Sequence, residues 1–179
     1  MVDCTLEFLK IDPRAVIPKY AHTGDMCMDI SVLIDENEMK PMYMDDSVHS
    51  ANDVKVPLVT GKIGDLCYAV IEPGQSLVFH TGLKCATPKG YGLKVHVRSS
   101  VGIKKKLQLT NCTGIIDTSQ YRGELMIALL NNSSKARKIF SGDRVAQGEI
   151  VKVLDVEIIE VTTLSDTERG EGGIGSTGV

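Results

Sequence analysis

No tryptophan occurs among the 179 residues, and aromatic residues of all kinds reach only 4%, so a core of this size must rest on Val, Ile and Leu. That favours β structure. Cysteine is present without a pattern. Cys4, Cys27, Cys67, Cys85 and Cys112 are odd in number, widely spaced and free of any C-x-x-C pair. Neither a disulfide framework nor a zinc site is supported, and small, free core thiols are the simpler reading. Long apolar runs are missing, so nothing approaches a membrane span. The start, M-V-D-C-T-L-E-F, lacks the basic and apolar regions of a secretory leader. A soluble, intracellular chain with no membrane partner is expected. Positive charge is not in excess either. The net charge of −3 offers no global field for nucleic acid, so no direct nucleic-acid partner is expected and any anion site must be local.

What is present is glycine, 17 residues of it, with turn signals at even intervals. Many short strands in a single domain spanning 1–179 are expected. Leu6, Phe8 and Ile11 suggest a first strand ended by Asp12-Pro13. After the Gly24-Asp25 turn, Met26, Met28 and Ile30 alternate around Cys27 and Asp29, which leaves Asp29 as a turn or edge carboxylate. Residues 36–69 are polar and Met-bearing at first, then apolar over Val54–Val59 and Leu66–Ile71. They read as an insertion, a mobile loop leading into a small hairpin, with a functional role and plain disorder both open. Leu77–Thr81 reads as a strand and Gly82 as the start of a bend.

Leu93–Val97 is the next strand, and R-S-S-V-G follows it. Arg98 offers a guanidinium, Ser99 and Ser100 two hydroxyls, and the backbone exposed N–H groups; phosphate oxygens suit that set. A short helix starting near Ser99 would add a favourable field, although an R-S-S helix cap is commonplace. Lys104–Lys106 reads as a solvated turn. Leu107–Leu109 and Leu125–Leu130 then read as two arms of a β-hairpin around a polar turn that carries Asn111, Asp117 and Tyr121. A carboxylate directly after two isoleucines must be solvated or given work. Asp117 is therefore either an Asx-turn cap or the centre of the chemistry. Arg144 and Gln147 are polar residues inside the short strand G-D-R-V-A-Q-G-E-I. Val153–Val161 looks like an edge strand or a subunit contact. Residues 165–179 form a glycine-rich arm in which glycines 170, 172, 173, 175 and 178 accompany Arg169, Ser176 and Thr177. Such an arm can form a phosphate-cradling nest or remain an unstructured tail; it has no G-K-[ST] of a Walker A loop.

Five of these stretches, A-H-T-G-D-M-C-M-D-I, R-S-S-V-G, G-I-I-D-T-S-Q-Y-R-G-E, G-D-R-V-A-Q and R-G-E-G-G-I-G-S-T-G, resemble in order the five motifs of the trimeric dUTPase family. The resemblance implies an all-β, jelly-roll-like β-barrel assembled as a homotrimer with sites shared between subunits. It implies hydrolysis of dUTP to dUMP and diphosphate with Mg²⁺. By the same resemblance Asp117 activates the attacking water and Arg144 pairs with it. Asn111 and the hairpin backbone read uracil, Gly114, Ile116 and Met126 also bind the substrate, and Tyr121 packs under the deoxyribose and leaves no room for a 2′-hydroxyl. Arg98, Ser99, Ser100 and Gln147 hold phosphates. The arm closes with Arg169, Gly173, Ile174, Gly175, Ser176 and Thr177, and Asp29 approaches the metal through water.

This chain departs from the family pattern at named points. Met26-Cys27 stands where Ala-Gly is usual. Three residues rather than two separate Asp117 from Tyr121, and Ile174 replaces a Phe that often stacks on the base. Two other functions compete. A dCTP deaminase shares the fold, but its general-base Glu aligns with Ala128, which disfavours deamination. A trimeric regulatory or binding protein would use the 36–69 insertion as its partner surface.

Overall fold

The computed structural model describes residues 4–35, 59–117 and 120–173. Short runs of alternating burial set the strands. They are β1 (Glu7–Lys10), β2 (Cys27–Ser31), β3 (Val59–Ile63), β4 (Leu66–Ile71), β5 (Ser76–Ala86), β6 (Tyr91–Val97), β7 (Leu107–Leu109), β8 (Gly114–Ile116), β9 (Glu124–Asn131), β10 (Arg137–Phe140) and β11 (Arg144–Lys152). All pair antiparallel, in three sheets of order β1-β5-β9-β7, β10-β4-β3 and β2-β11-β6-β8. The all-β expectation holds. The sheets wrap one core rather than closing into a continuous hydrogen-bonded barrel. β9 shows the logic: Leu125, Ile127 and Leu129 are buried, while Met126, Ala128 and Leu130 alternate outward. Each such aliphatic side chain contributes about 1.5–3 kcal/mol on leaving water. Phe79 is the only aromatic among the fully buried side chains described, so aliphatics do make the core. Among the described residues no helix is long and apolar enough to cross a membrane.

Several expectations are redrawn by the structure. The hairpin arms pair as read, Leu107 opposite Asn131 and Leu109 opposite Leu129. The connection between them is not a plain turn, because Gly114–Ile116 leaves this sheet and pairs with β6 in another. Gly82 does not end its strand. β5 runs on to Ala86 through a bulge between His80 and Lys84, where Gly82 has φ +69°. A Cβ there would also lie 2.9 Å from that of Ala15, so both the backbone and the packing require glycine.

The stretch read as an insertion divides. Residues 36–58 lie outside those described, and with them most of Val54–Val59; the strand begins at Val59. Leu66–Ile71 pairs with β10, and Ala69 and Ile71 are fully buried, so this strand belongs to the core. Val153–Val161 forms no strand. The Val153 N–H still bonds the Gly90 carbonyl at 2.8 Å, but no strand continues beyond Lys152, and Val153, Leu154, Val156, Ile158 and Ile159 are exposed.

Candidate functional site

Asp29 sits at the middle of β2, an edge strand. Met28 and Ile30 point into the core, which turns Asp29 to the outer face. β11 runs beside it, and Gln147 pairs with both Asp29 and, on β6, His96. β6 ends one residue before Arg98, whose N–H bonds the Val145 carbonyl at 3.1 Å. The sheet register therefore delivers Arg98 and Arg144 to one carboxylate. Arg98 Nε lies 2.6 Å from Asp29 Oδ1 and Arg144 Nη1 2.9 Å from Oδ2. Arg98 Nη1 also donates to the Arg144 carbonyl at 3.3 Å.

Arg144 was expected to pair with Asp117; within this chain it pairs with Asp29. The register explains the difference. Arg144 lies at the start of β11, opposite Ser31 on the same strand as Asp29. Asp117 leaves the other edge of the sheet, after Ile116 pairs with Leu93. Three strand spacings across and about four residues along put the two carboxylates roughly 20 Å apart in one chain. One subunit thus gathers the first, second and fourth motifs and holds the third away from them.

The gathered half opens as a cleft of about 500 Å³ lined by Asp25, Cys27, Asp29, Arg98, Ser99, Ser100 and Gln147. A second hollow, about 280 Å³, lies across Arg98 and is lined by Ser100, Lys105, Asp143 and Arg144. Lys105 contacts Asp143 at 3.5 Å. Three cations, Arg98, Lys105 and Arg144, thus gather at one place together with three carboxylates, Asp25, Asp29 and Asp143. The expected helix is a single π-helical turn, Val101–Lys105, with no side-chain cap. Ser99 and Ser100 are exposed, so their hydroxyls are not spent on capping. Lys106, read as part of a solvated turn, closes that turn with φ 57°, its N–H bonding the Val101 carbonyl. Cys27 lines the cleft but is no ready nucleophile: burial pushes its thiol up, and the charges of Glu149 and Asp25 add to the shift.

Around Asp117 the geometry is that of a tight turn. Its carbonyl accepts the Tyr121 N–H at 2.9 Å and the Gln120 N–H at 3.1 Å. The additional residue between Asp117 and Tyr121 is absorbed as one i→i+4 turn, which keeps the two tied. The Asp117 carboxylate is exposed and, among the described residues, carries no ion pair; water solvates it. Asn111 is exposed beside Cys112, which has φ 62°. Gly114 faces Val95, Ile116 is half-buried against the core, and Met126 lies opposite His80. The arm is described to Gly173. Arg169 folds back so that Nε donates to the Gly172 carbonyl at 2.8 Å. Ile174, Gly175, Ser176 and Thr177 lie outside the described residues.

The partners of one expected residue, Asp29, escaped the sequence reading, and so did a second residue, Glu124. Asp29 emerges as the partner of both arginines; its position between Met28 and Ile30 was the signal, but the partners come from strands far along the chain. Glu124 clamps the β5 bulge, accepting the Gly82 N–H at 2.7 Å and the Thr81 N–H at 3.1 Å. The R-G-E sequence gives no hint of that.

Comparison with known proteins bears on the family and the fold. The sequence model of the dUTPase family matches residues 65–178. The deoxyuridine 5'-triphosphate nucleotidohydrolase of a Picosynechococcus species is 32% identical over 97% of this chain and 98% of its own. That of Helicobacter pylori is 33% identical over 97% of each. That of Nautilia profundicola is 44% identical over 61% of this chain and 76% of its own. Among solved structures, the dUTPase of Staphylococcus bacteriophage 80alpha with dUpNHpp is 25% identical, with a TM-score of 0.72 over 98% of this chain and 99% of its own. The dUTPase of phage phi11 of S. aureus, at 21% identity and a TM-score of 0.66 over 91% of this chain and 99% of its own, shares the fold.

Proposed function

The chain belongs to the dUTPase family, and on that premise we propose that it hydrolyses dUTP to dUMP and diphosphate with Mg²⁺, as a homotrimer whose sites are shared between subunits. The observation that carries this reading is the Asp29–Arg98–Arg144 cluster beside the exposed Ser99 and Ser100 and the half-buried Gln147. A triphosphate is nearly a tetra-anion, and a guanidinium held rigidly by a carboxylate presents its remaining donors in a fixed fork. Asp117, exposed and unpaired, is free to orient a water and take its proton. The separation of Asp117 from the cleft favours a site that one chain begins and a neighbour completes. Tyr121 covers the sugar, Asn111 and the neighbouring backbone read uracil, and the arm from Arg169 closes over the phosphates.

The donor set fits Mg²⁺ in one respect. Among the described residues no three metal-ligating side chains cluster, and Mg²⁺ favours water and phosphate oxygens over a protein cage. When bound with the nucleotide, it neutralises charge on the phosphate oxygens. Asp29 acts there indirectly, since its two oxygens already accept from arginines.

Incubation with dUTP or dCTP and Mg²⁺ tests the proposal. Diphosphate from dUTP alone is expected. Ammonia from dCTP would indicate the deaminase, although Ala128, which carries no base, argues against it. Neither product would favour a binding protein.

A further inference from the structure

Tyr121 is mounted on its neighbours in a way the sugar-covering role does not by itself require. Glu124, the first residue of β9, places its carboxylate in the bulge of β5. One oxygen accepts the Thr81 and Gly82 N–H groups, and the other lies 2.8 Å from His80 Nδ1. The β5–β9 ladder is interrupted at this place, so the carboxylate supplies partners that strand pairing would otherwise give. The backbone carbonyl of the same residue accepts the Tyr121 hydroxyl at 3.0 Å. The tyrosine ring lies over Gly123, where any Cβ would overlap it. Gly123 is not among the residues with left-handed φ, so its backbone needs no glycine. What the position requires is the absence of a side chain. The ring remains 40% exposed, with room for a ligand against it.

We propose that Gly123 and Glu124 are positioning residues for sugar selection, fixing the Tyr121 ring so that nucleotides bearing a 2′-hydroxyl are excluded. The inference rests on the dUTP reading above. Exclusion by contact works only if the excluding group cannot retreat. An unmounted tyrosine has other staggered rotamers within easy reach and would yield to a hydroxyl. Held at its tip by the Glu124 carbonyl and seated on Gly123, it cannot. Glu124 is in turn fixed by the bulge, which links selectivity to a glycine forty residues earlier in the chain.

The test measures kcat/KM for dUTP and UTP in the full chain with Mg²⁺, comparing the parent with Gly123→Ala, Glu124→Ala and Glu124→Gln. Gly123→Ala should lower the dUTP/UTP ratio tenfold or more, chiefly through a lower KM for UTP. Glu124→Ala should act in the same direction. Glu124→Gln should recover much of the ratio, since the amide oxygen still accepts from the bulge and the amide NH₂ can donate to His80. Should Glu124→Ala fail to fold, Gly123→Ala decides alone, because it touches no buried network. A ratio within twofold of the parent in Gly123→Ala, with dUTP still cleaved, overturns the inference and leaves the dUTP reading standing. Equal losses on both substrates also overturn it, because a merely structural role would act that way. A parent inactive on dUTP removes the reading and the inference together.

Discussion

Replacing Asp29 by Ala sets two effects against each other, and their magnitudes decide the outcome. Asp29 is only 16% exposed and accepts from two guanidiniums, at 2.6 and 2.9 Å. Losing a charge-assisted hydrogen bond costs about 1.5–3 kcal/mol; the low end applies here because Arg144 is 57% exposed and water screens it. Two such bonds make about 3 kcal/mol of lost orientation. Against this, one negative charge disappears near the triphosphate. At roughly 7 Å in an open, water-filled cleft, removing that repulsion is worth about 0.6 kcal/mol per phosphate charge. Summed over the nearly four charges of a triphosphate, that is about 2.4 kcal/mol, so geometry wins by only roughly 0.6 kcal/mol, or about threefold in kcat/KM at 1.36 kcal/mol per tenfold. The assay pairs diphosphate release from dUTP with calorimetric titration by dUpNHpp. Tighter binding of the analogue with kcat/KM equal to or above the parent's would refute the reasoning, because it would mean that the arginines need no carboxylate to hold them.

Other outcomes follow from the same structure. Asp117→Asn should cut diphosphate release ~10²–10⁴-fold, the usual cost of losing a general base, while binding of dUpNHpp survives; a parent-like rate would make Asp117 a turn residue. Ile71→Ala should lower stability by ~2–5 kcal/mol in urea titration, because Ile71 is fully buried; a change below ~1 kcal/mol would return this strand to the insertion. Deleting residues 169–179 should abolish most turnover yet leave the thermal midpoint nearly in place, since the arm is exposed as far as it is described; a large fall would make it structural. Asp12 carries a pH dependence. Its hydrogen bonds to the Arg14 side chain and backbone hold its carboxyl down at about 2, against an ordinary 3.8. A lowered folded-state pKa stabilises above the ordinary value and ceases to do so as pH falls through the lowered one. The stability difference between the parent and Asp12→Asn should therefore be full above pH 4 and vanish towards pH 2; a difference constant across that window would exclude the ion pair as its source.

Local alternation made most of the fold legible. Met28 and Ile30, or Leu125, Ile127 and Leu129, declare which face is buried without reference to anything distant. The misreadings share one cause, which is that pairing partners lie far away in sequence. Gly82 looks like a strand end because glycine usually is one; only the carboxylate of Glu124, opposite it across the sheet, shows that the strand continues through a bulge. Leu66–Ile71 looked like part of an embellishment because polar residues precede it, and only β10 reveals it as core. Val153–Val161 has the composition of a strand but forms none, its first residue alone bonding back to Gly90. The site divides in the same way. Residue types at Arg98, Ser99 and Ser100 suggested an anion site, whereas the pairing of Arg144 with Asp29 within one chain follows from sheet register, which no short motif encodes.

That register has a consequence for the chemistry. With Asp29 neutralising one of its two arginines, Lys105 beside Asp143 and Asp25 on the lining, the cleft of a single chain holds about no net charge near the phosphates. A triphosphate brings nearly four negative ones, and an Asp117 arriving from a neighbouring subunit would bring another. The cleft alone therefore cannot balance its substrate. In the proposed reaction a divalent cation and the guanidinium of Arg169 would supply most of what is missing, arriving with or after the nucleotide. Exposed Val153, Leu154, Val156, Ile158 and Ile159 lie on the stretch that leads to that arginine. Apolar side chains so concentrated are poorly solvated on a lone chain and better covered by another. Packing this stretch against a second subunit would set where the arm begins, and so which site its arginine can reach.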